Sequence, residues 1–281
     1  MSKLSPALKG LINASFARPG QTLAPSSIRS VYERIAQESS QNSYGRNPWL
    51  AISAAATFTL NSPDALHALF QVSTQTQRTH SPKDAAELIR EVGLKCISFN
   101  GIPRTINCLG AFRSGLDPDV LSQLSTTPSR RVDATNVDAT NARGRELWES
   151  IYVPFDAKLI DKLAESHPDL PVHILGSHYG PLLSDPSGER NGLASVGRGL
   201  TSIVAVACLR AQTGVGPQVL SHVFGLRKAI EQGAHKSEAV TEDVDGIEKL
   251  ASDEGCEWIL NSVDRIAKAI GGNFATRESK L

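Results

Sequence analysis

Two stretches of this chain, residues 49–60 and 200–211, consist almost wholly of apolar and small side chains. A helix of that composition has no polar face to offer water, so each is expected to lie buried on most sides at the centre of the fold. Neither approaches the roughly 18 consecutive apolar residues that a membrane span needs. The segments around them carry helical spacing instead. Ile28, Val31, Tyr32 and Ile35 mark one amphipathic helix. Ser62-Pro63 and Ser81-Pro82 are helix starts, each with serine as N-cap and proline at the first helical position. After the second start, Ala85, Ile89, Val92, Cys96 and Phe99 recur at steps of three or four. Asn100-Gly101-Ile102-Pro103 interrupts that pattern, and a shorter helix follows through Asn107 and Phe112.

Residues 114–143 read as a polar linker, with Val-Asp-Ala-Thr-Asn occurring twice, at 132–136 and 137–141. Helical spacing resumes through Trp148, Ile151 and Tyr152. Val172-His173-Ile174-Leu175 alternates like a strand, but Pro171 favours a helix start, and helix is the reading for 171–183. Further helices are expected over 200–211, 218–230, 241–251 and 257–270. No convincing strand remains, so the fold class is all-α. The chain divides into an N-terminal arm (1–47), a first half (48–113), the linker (114–143), a second half (144–272) and a tail (273–281).

With 29 acidic and 29 basic residues, no global field attracts nucleic acid or an anionic membrane. Residues 1–20 lack the apolar run of a secretory signal, and a soluble protein is expected. The four cysteines, Cys96, Cys108, Cys208 and Cys256, form neither a zinc-knuckle spacing nor a Cys-x-x-C pair. None of the seven histidines are paired at i,i+3 or i,i+4, so spacing marks no metal site, while histidine ligands brought together by the fold stay open. Phosphate-binding glycine loops and nucleophile elbows are also missing.

The halves read as diverged copies, each with a small-residue helix followed by a helix bearing a histidine, His67 or His222. In the second, residues 202–210 (Ser-Ile-Val-Ala-Val-Ala-Cys-Leu-Arg) and 218–223 (Gln-Val-Leu-Ser-His-Val), with Gly233 ending the helix, resemble the core of the carboxymuconolactone decarboxylase and AhpD-like superfamily. The segment from Glu91 through Gly101, Pro103 and Arg104 to Asn107 is similar to the same family's Glu…Gly-x-Pro…Asn pattern. Pro168-Asp169-Leu170 and Tyr179-Gly180 fit its lead-in, which also contains His178.

The resemblance implies a compact helical bundle that assembles into homo-oligomers, with a dimer favoured here because two halves share one chain. It implies a cofactor-free lyase that decarboxylates a small organic acid. His222, Glu91 and His178 are then the candidates for proton transfer, and Arg104, Arg198 and Asn107 for substrate binding. Each has a structural alternative: His222 as a core-edge histidine satisfied by a backbone carbonyl, Glu91 as a surface i,i+4 partner of Lys95, and Arg104 as a solvated helix-start residue. The family's thiol branch needs Cys-x-x-C, which this sequence lacks. A thiol antioxidant and a catalytically inert scaffold or binding protein are therefore the competing readings.

The sequence closes on Ser279-Lys280-Leu281, an address read by the peroxisomal import receptor. The expected location is the peroxisomal matrix, and the resemblance narrows to a fungal group of peroxisomal carboxymuconolactone decarboxylase-like proteins.

Overall fold

A computed structural model describes residues 3–75 and 80–271; Ser279, Lys280 and Leu281, expected from the sequence to be a targeting signal, lie outside the described residues. The order begins with α1 (Pro6–Ile12), α2 (Ile28–Asn42), α3 (Pro48–Thr59), α4 (Pro63–Gln75), α5 (Pro82–Lys95), the single turn α6 (Ile97–Asn100) and α7 (Ile102–Ser114). It continues with α8 (Pro118–Leu121), α9 (Val137–Tyr152), α10 (Asp156–Ser166), α11 (Asp169–His173) and a π-helical segment (Ile174–Leu183). Last come α12 (Arg198–Gln212), α13 (Gly216–Glu231), α14 (Thr241–Leu250) and α15 (Asp253–Ile270). No strand occurs among the described residues, as the all-α reading requires.

The two small-residue helices, α3 and α12, pack against each other at the centre, and every residue of α3 is buried. Small side chains let α2, α4, α5 and α15 close around this pair. Leu50, Ile52, Ile203 and Val204 are all fully buried there, and each such aliphatic side chain contributes about 1.5–3 kcal/mol of hydrophobic stabilisation. Inside α3, Thr57 donates to Ser53 O at 2.6 Å and meets the Tyr32 hydroxyl at 2.6 Å, while the Ser53 hydroxyl is buried without a partner. The Phe58 ring occupies the space left by Gly93 on α5, where a Cβ would lie 2.2 Å from its Cζ.

Local signals behave unevenly. Ser81 caps α5 by accepting from Asp84 N at 3.1 Å, whereas the Ser62 hydroxyl is buried without a partner and caps nothing. Gly101 sits at φ 77° between α6 and α7, a conformation that a side chain would strain. Within the expected polar linker, α8 forms and α9 begins at Val137. The two Val-Asp-Ala-Thr-Asn copies differ. In the first, the Asp133 carboxylate accepts from Thr135 N at 2.8 Å in a turn, while the second starts α9.

The regular helix expected over 171–183 is also revised. After α11 the chain winds as a π helix containing Pro181, which has no N–H to give a regular ladder, and Ser184 N reaches five residues back to Tyr179 O at 2.9 Å. This segment lies backbone-to-backbone on α9: a Cβ on Gly144 would lie 2.5 Å from Gly180 N. π segments are uncommon and recur beside functional sites.

Candidate functional site

The crossing of α9, the π segment, α12 and α13 gathers aromatic rings around His222. Phe99 from α6 stands 6.0 Å from its ring and Tyr152 from α9 stands 6.3 Å away, both edge to face. Trp148, one turn before Tyr152, touches Tyr152 and Tyr179 at centroid distances of 4.2 and 5.1 Å. The two tyrosine hydroxyls are 3.2 Å apart. Burial drives the His222 pKa down to about 4, and the charge of Arg198 adds to the shift. Its Nδ1 is buried without a hydrogen-bond partner, so the backbone-satisfied histidine allowed by the sequence is not what forms at that atom.

Arg198 opens α12 and is held from several directions. Its Nε donates to Ser150 Oγ at 2.7 Å and Nη1 to Ser202 Oγ at 2.6 Å. Nη2 donates to Gly225 O at 2.9 Å and Ser150 O at 3.2 Å. Every one of these acceptors is neutral, and burial lowers the guanidinium pKa to about 10. Glu238 influences Arg198 through space, but its carboxylate accepts from Gly199 N at 2.7 Å and Leu200 N at 3.3 Å, capping α12. Burial raises Glu238 to about 7 despite those two bonds. Arg198 lines a cleft of about 590 Å³ with the hydroxyl-bearing Ser150, Ser195, Thr201 and Ser237, within the size range of small-molecule sites. His222 is not part of that cleft wall.

The remaining sequence candidates lie elsewhere. Glu91 is buried and held by Arg130 and, at 3.0 Å, by Arg190. Its expected surface pairing with Lys95 is corrected: Lys95 is fully buried and pairs with Asp185 at 3.0 Å, also donating to Val196 O and Thr201 Oγ1. Burial lowers the Lys95 pKa, with Asp185 and Glu91 opposing the shift. Arg104 donates to Thr59 O at the end of α3, and Asn107 donates to Asn61 Oδ1 at 3.3 Å. Both therefore serve the α3–α4 turn. His178 meets Ser98 Oγ at 3.1 Å, and burial lowers its pKa, with His173 adding to the effect. It adjoins the site through Ser98, the neighbour of Phe99, and through its own chain neighbour Tyr179.

Sequence reasoning missed Tyr152, Tyr179 and Trp148 as site walls, although Trp148 and Tyr152 are four apart on one helical face. It also missed that Cys96 and Cys208, 112 residues apart, place their sulfurs 3.4 Å from each other. Both thiols are buried, and burial raises the Cys96 pKa well above its usual value.

Fold and site together define an all-α protein with an arginine-and-histidine centre walled by aromatic rings. The chain is 30% identical over 203 residues to Peroxisomal protein 2 of Saccharomyces cerevisiae, a match covering 65% of this chain and 67% of that protein. It belongs to the family of that peroxisomal protein. No family model matches the sequence, and no solved structure matches it.

Proposed function

We propose that this is a peroxisomal matrix protein with a carboxymuconolactone decarboxylase-like bundle of two diverged halves, acting as a cofactor-free lyase on a small organic acid. The observation that carries the reading is Arg198, a partly buried guanidinium hydrogen-bonded only to neutral oxygens in a cleft whose wall also holds Glu146 and Asp185. Burying a cation without an anion is unfavourable, and a substrate carboxylate would complete the site with a charge-assisted, two-pronged contact. The peroxisomal relative and the Ser279-Lys280-Leu281 motif support the location.

In this reading the acid binds through its carboxylate to Arg198 and loses carbon dioxide, leaving a carbanion that a proton must quench. His222 is neutral at pH 7 and has no proton to spare before substrate arrives. A bound carboxylate offsets the smaller of the two effects that disfavour the imidazolium, the Arg198 charge; the larger, burial, must be relieved as well for His222 to take a proton from solvent and deliver it to carbon. Because His222 does not line the cleft, the packing around it, which includes the Phe99 and Tyr152 rings, must open for that transfer.

Calorimetry with a panel of small carboxylic acids tests this reading. Saturable binding is expected in the wild type, with at least a tenfold loss in Arg198→Met and carbon dioxide release that depends on His222. Equal binding by Arg198→Met would refute it. For location, a fluorescent protein fused at the N-terminus should enter peroxisomes and lose that location when residues 279–281 are removed.

A thiol antioxidant remains the second reading, favoured by the 3.4 Å Cys96–Cys208 contact and opposed by the raised Cys96 pKa. Unchanged peroxide consumption after replacing both cysteines with serine would eliminate it. The chain is further proposed to form a homodimer. The N-terminal arm leaves Leu11, Ile12, Phe16 and Leu23 exposed, apolar area that a second copy would cover. A monomer by light scattering would count against the dimer.

A further inference from the structure

Beside the Arg198 cleft lies a smaller cavity of about 200 Å³, set between the loop entering α9, the first turns of α9 and Pro181 of the π segment. Arg130, Arg131 and Arg143 line it together with Ser129, Asn136 and Thr140, and no carboxylate contributes to its wall. Three of its polar atoms are buried without a hydrogen-bond partner: Arg130 Nε, Arg143 Nε and Ser129 Oγ. Native interiors rarely leave such donors unmet, because each forfeits its hydration without replacement.

The charge balance points the same way. Behind the cavity, the carboxylates of Glu91 and Asp185 are shared among Lys95, Arg130 and Arg190. Two negative charges therefore already face three positive ones. Arg143 adds a further cation; it donates to Thr140 Oγ1 at 3.3 Å and has no ion-pair partner among the described residues. Arg131, on the exposed side, adds another.

We propose that this cavity binds a phosphoryl group, either inorganic phosphate or the phosphate of a small monoester. A tetrahedral dianion offers acceptor oxygens toward donors on several sides and carries enough charge to offset the excess cations, whereas a single carboxylate has two oxygens and one charge. The volume lies below the usual range of sites for whole drug-sized ligands, so it suits a head group. Arg143 also lines the Arg198 cleft, so an ester's remaining atoms have a path into that larger space. The site stands independently of the proposed acid chemistry at Arg198.

The test is calorimetry in a chloride buffer free of phosphate and sulfate, at constant ionic strength, with inorganic phosphate, glycerol phosphate and succinate as probes. Phosphate should bind saturably at one site per chain. Arg143→Gln and the exposed Arg131→Gln should each weaken it at least tenfold while the circular dichroism spectrum stays unchanged. Arg198→Met should leave phosphate affinity intact, which separates this site from the acid site. Tighter binding of glycerol phosphate would assign the site to monoesters, and equal or weaker binding to free phosphate. The proposal is overturned if phosphate binds no better than chloride, if Arg143→Gln binds it like the wild type, or if succinate binds more tightly than both phosphates.

Discussion

The α3–α4 and α12–α13 helix pairs start from the same sequence signals, and their histidines meet different surroundings. His67 Nε2 lies 3.1 Å from Ala111 O, and its ring sits 5.5 Å from Phe112. The fit is tight enough that a Cβ on Gly115 would lie 2.2 Å from the imidazole. His222 instead keeps an unpartnered Nδ1 and faces the field of Arg198. The charged residues divide in a parallel way. Glu91 on α5 is buried and held by Arg130 and Arg190, whereas Arg198 is partly buried and hydrogen-bonded only to neutral groups. Glu91 has ion-pair partners within the protein, and Arg198 has none among the described residues. Two helix pairs with similar sequence signals thus differ in the polar atoms they leave unmatched.

The largest effect that would break this comparison is on stability. Glu91→Ala leaves Arg130, Arg190 and Lys95 with Asp185 alone, and removing one partner of a buried ion pair costs about 3–5 kcal/mol. Arg198→Met removes a charge with no ion-pair partner but also four hydrogen bonds to neutral acceptors, so its cost in urea denaturation is expected to be smaller, about 1–3 kcal/mol. Comparable losses for the two variants would show that Arg198 is structural in the same sense as Glu91.

Glu238 sharpens the contrast through pH. Its folded pKa of about 7 lies above the ordinary value of 4.5, so the folded state holds the proton more tightly than the unfolded chain. The stability that this contributes is present below about pH 4.5 and is lost as pH rises through about 7. Glu238→Gln keeps an oxygen for Gly199 N and never ionises. Relative to wild type it is expected to be more stable by on the order of 1–3 kcal/mol at pH 8, with the difference vanishing below pH 5. Asp243, raised to about 6, is present in both proteins and cancels in the difference. A pH-independent difference in melting would mean that Glu238 is already ionised and paired with Arg198, which would close the anion site.

Helix positions were legible because their causes are local: Pro63 and Pro82 start helices, Gly101 breaks one, and the small side chains of α3 and α12 allow close packing. The electrostatic influence of Arg198 on His222 was half legible, since both residues could be named but not that the fold brings one within the field of the other. Arg104 and Asn107 were assigned to substrate and instead hold the α3–α4 turn, because a side chain's partner depends on which element packs beside it. The π segment, the burial of Lys95 and the Cys96–Cys208 contact depend on encounters between residues far apart in sequence, which spacing along one segment does not encode.

The smallest and most direct comparison replaces each histidine with phenylalanine. In His67→Phe the bond to Ala111 O is lost while the ring contact with Phe112 persists, a loss of about 1 kcal/mol at pH 7. Ala111 O keeps its bond from Gly115 N, which limits the cost. His222→Phe removes a buried nitrogen that had no partner and keeps an aromatic ring between Phe99 and Tyr152, so its stability should match or exceed wild type. The two also separate by pH. Wild-type His222 stays neutral in the fold down to about pH 4 while the unfolded chain protonates near 6.5, so wild type loses stability as pH falls across that interval. His222→Phe escapes that loss, and its margin over wild type should widen steadily from pH 7 to pH 4.5. Parallel pH profiles for His222→Phe and wild type would mean that the imidazole already finds an acidic partner in solution, and the distinction between the two histidines would fall.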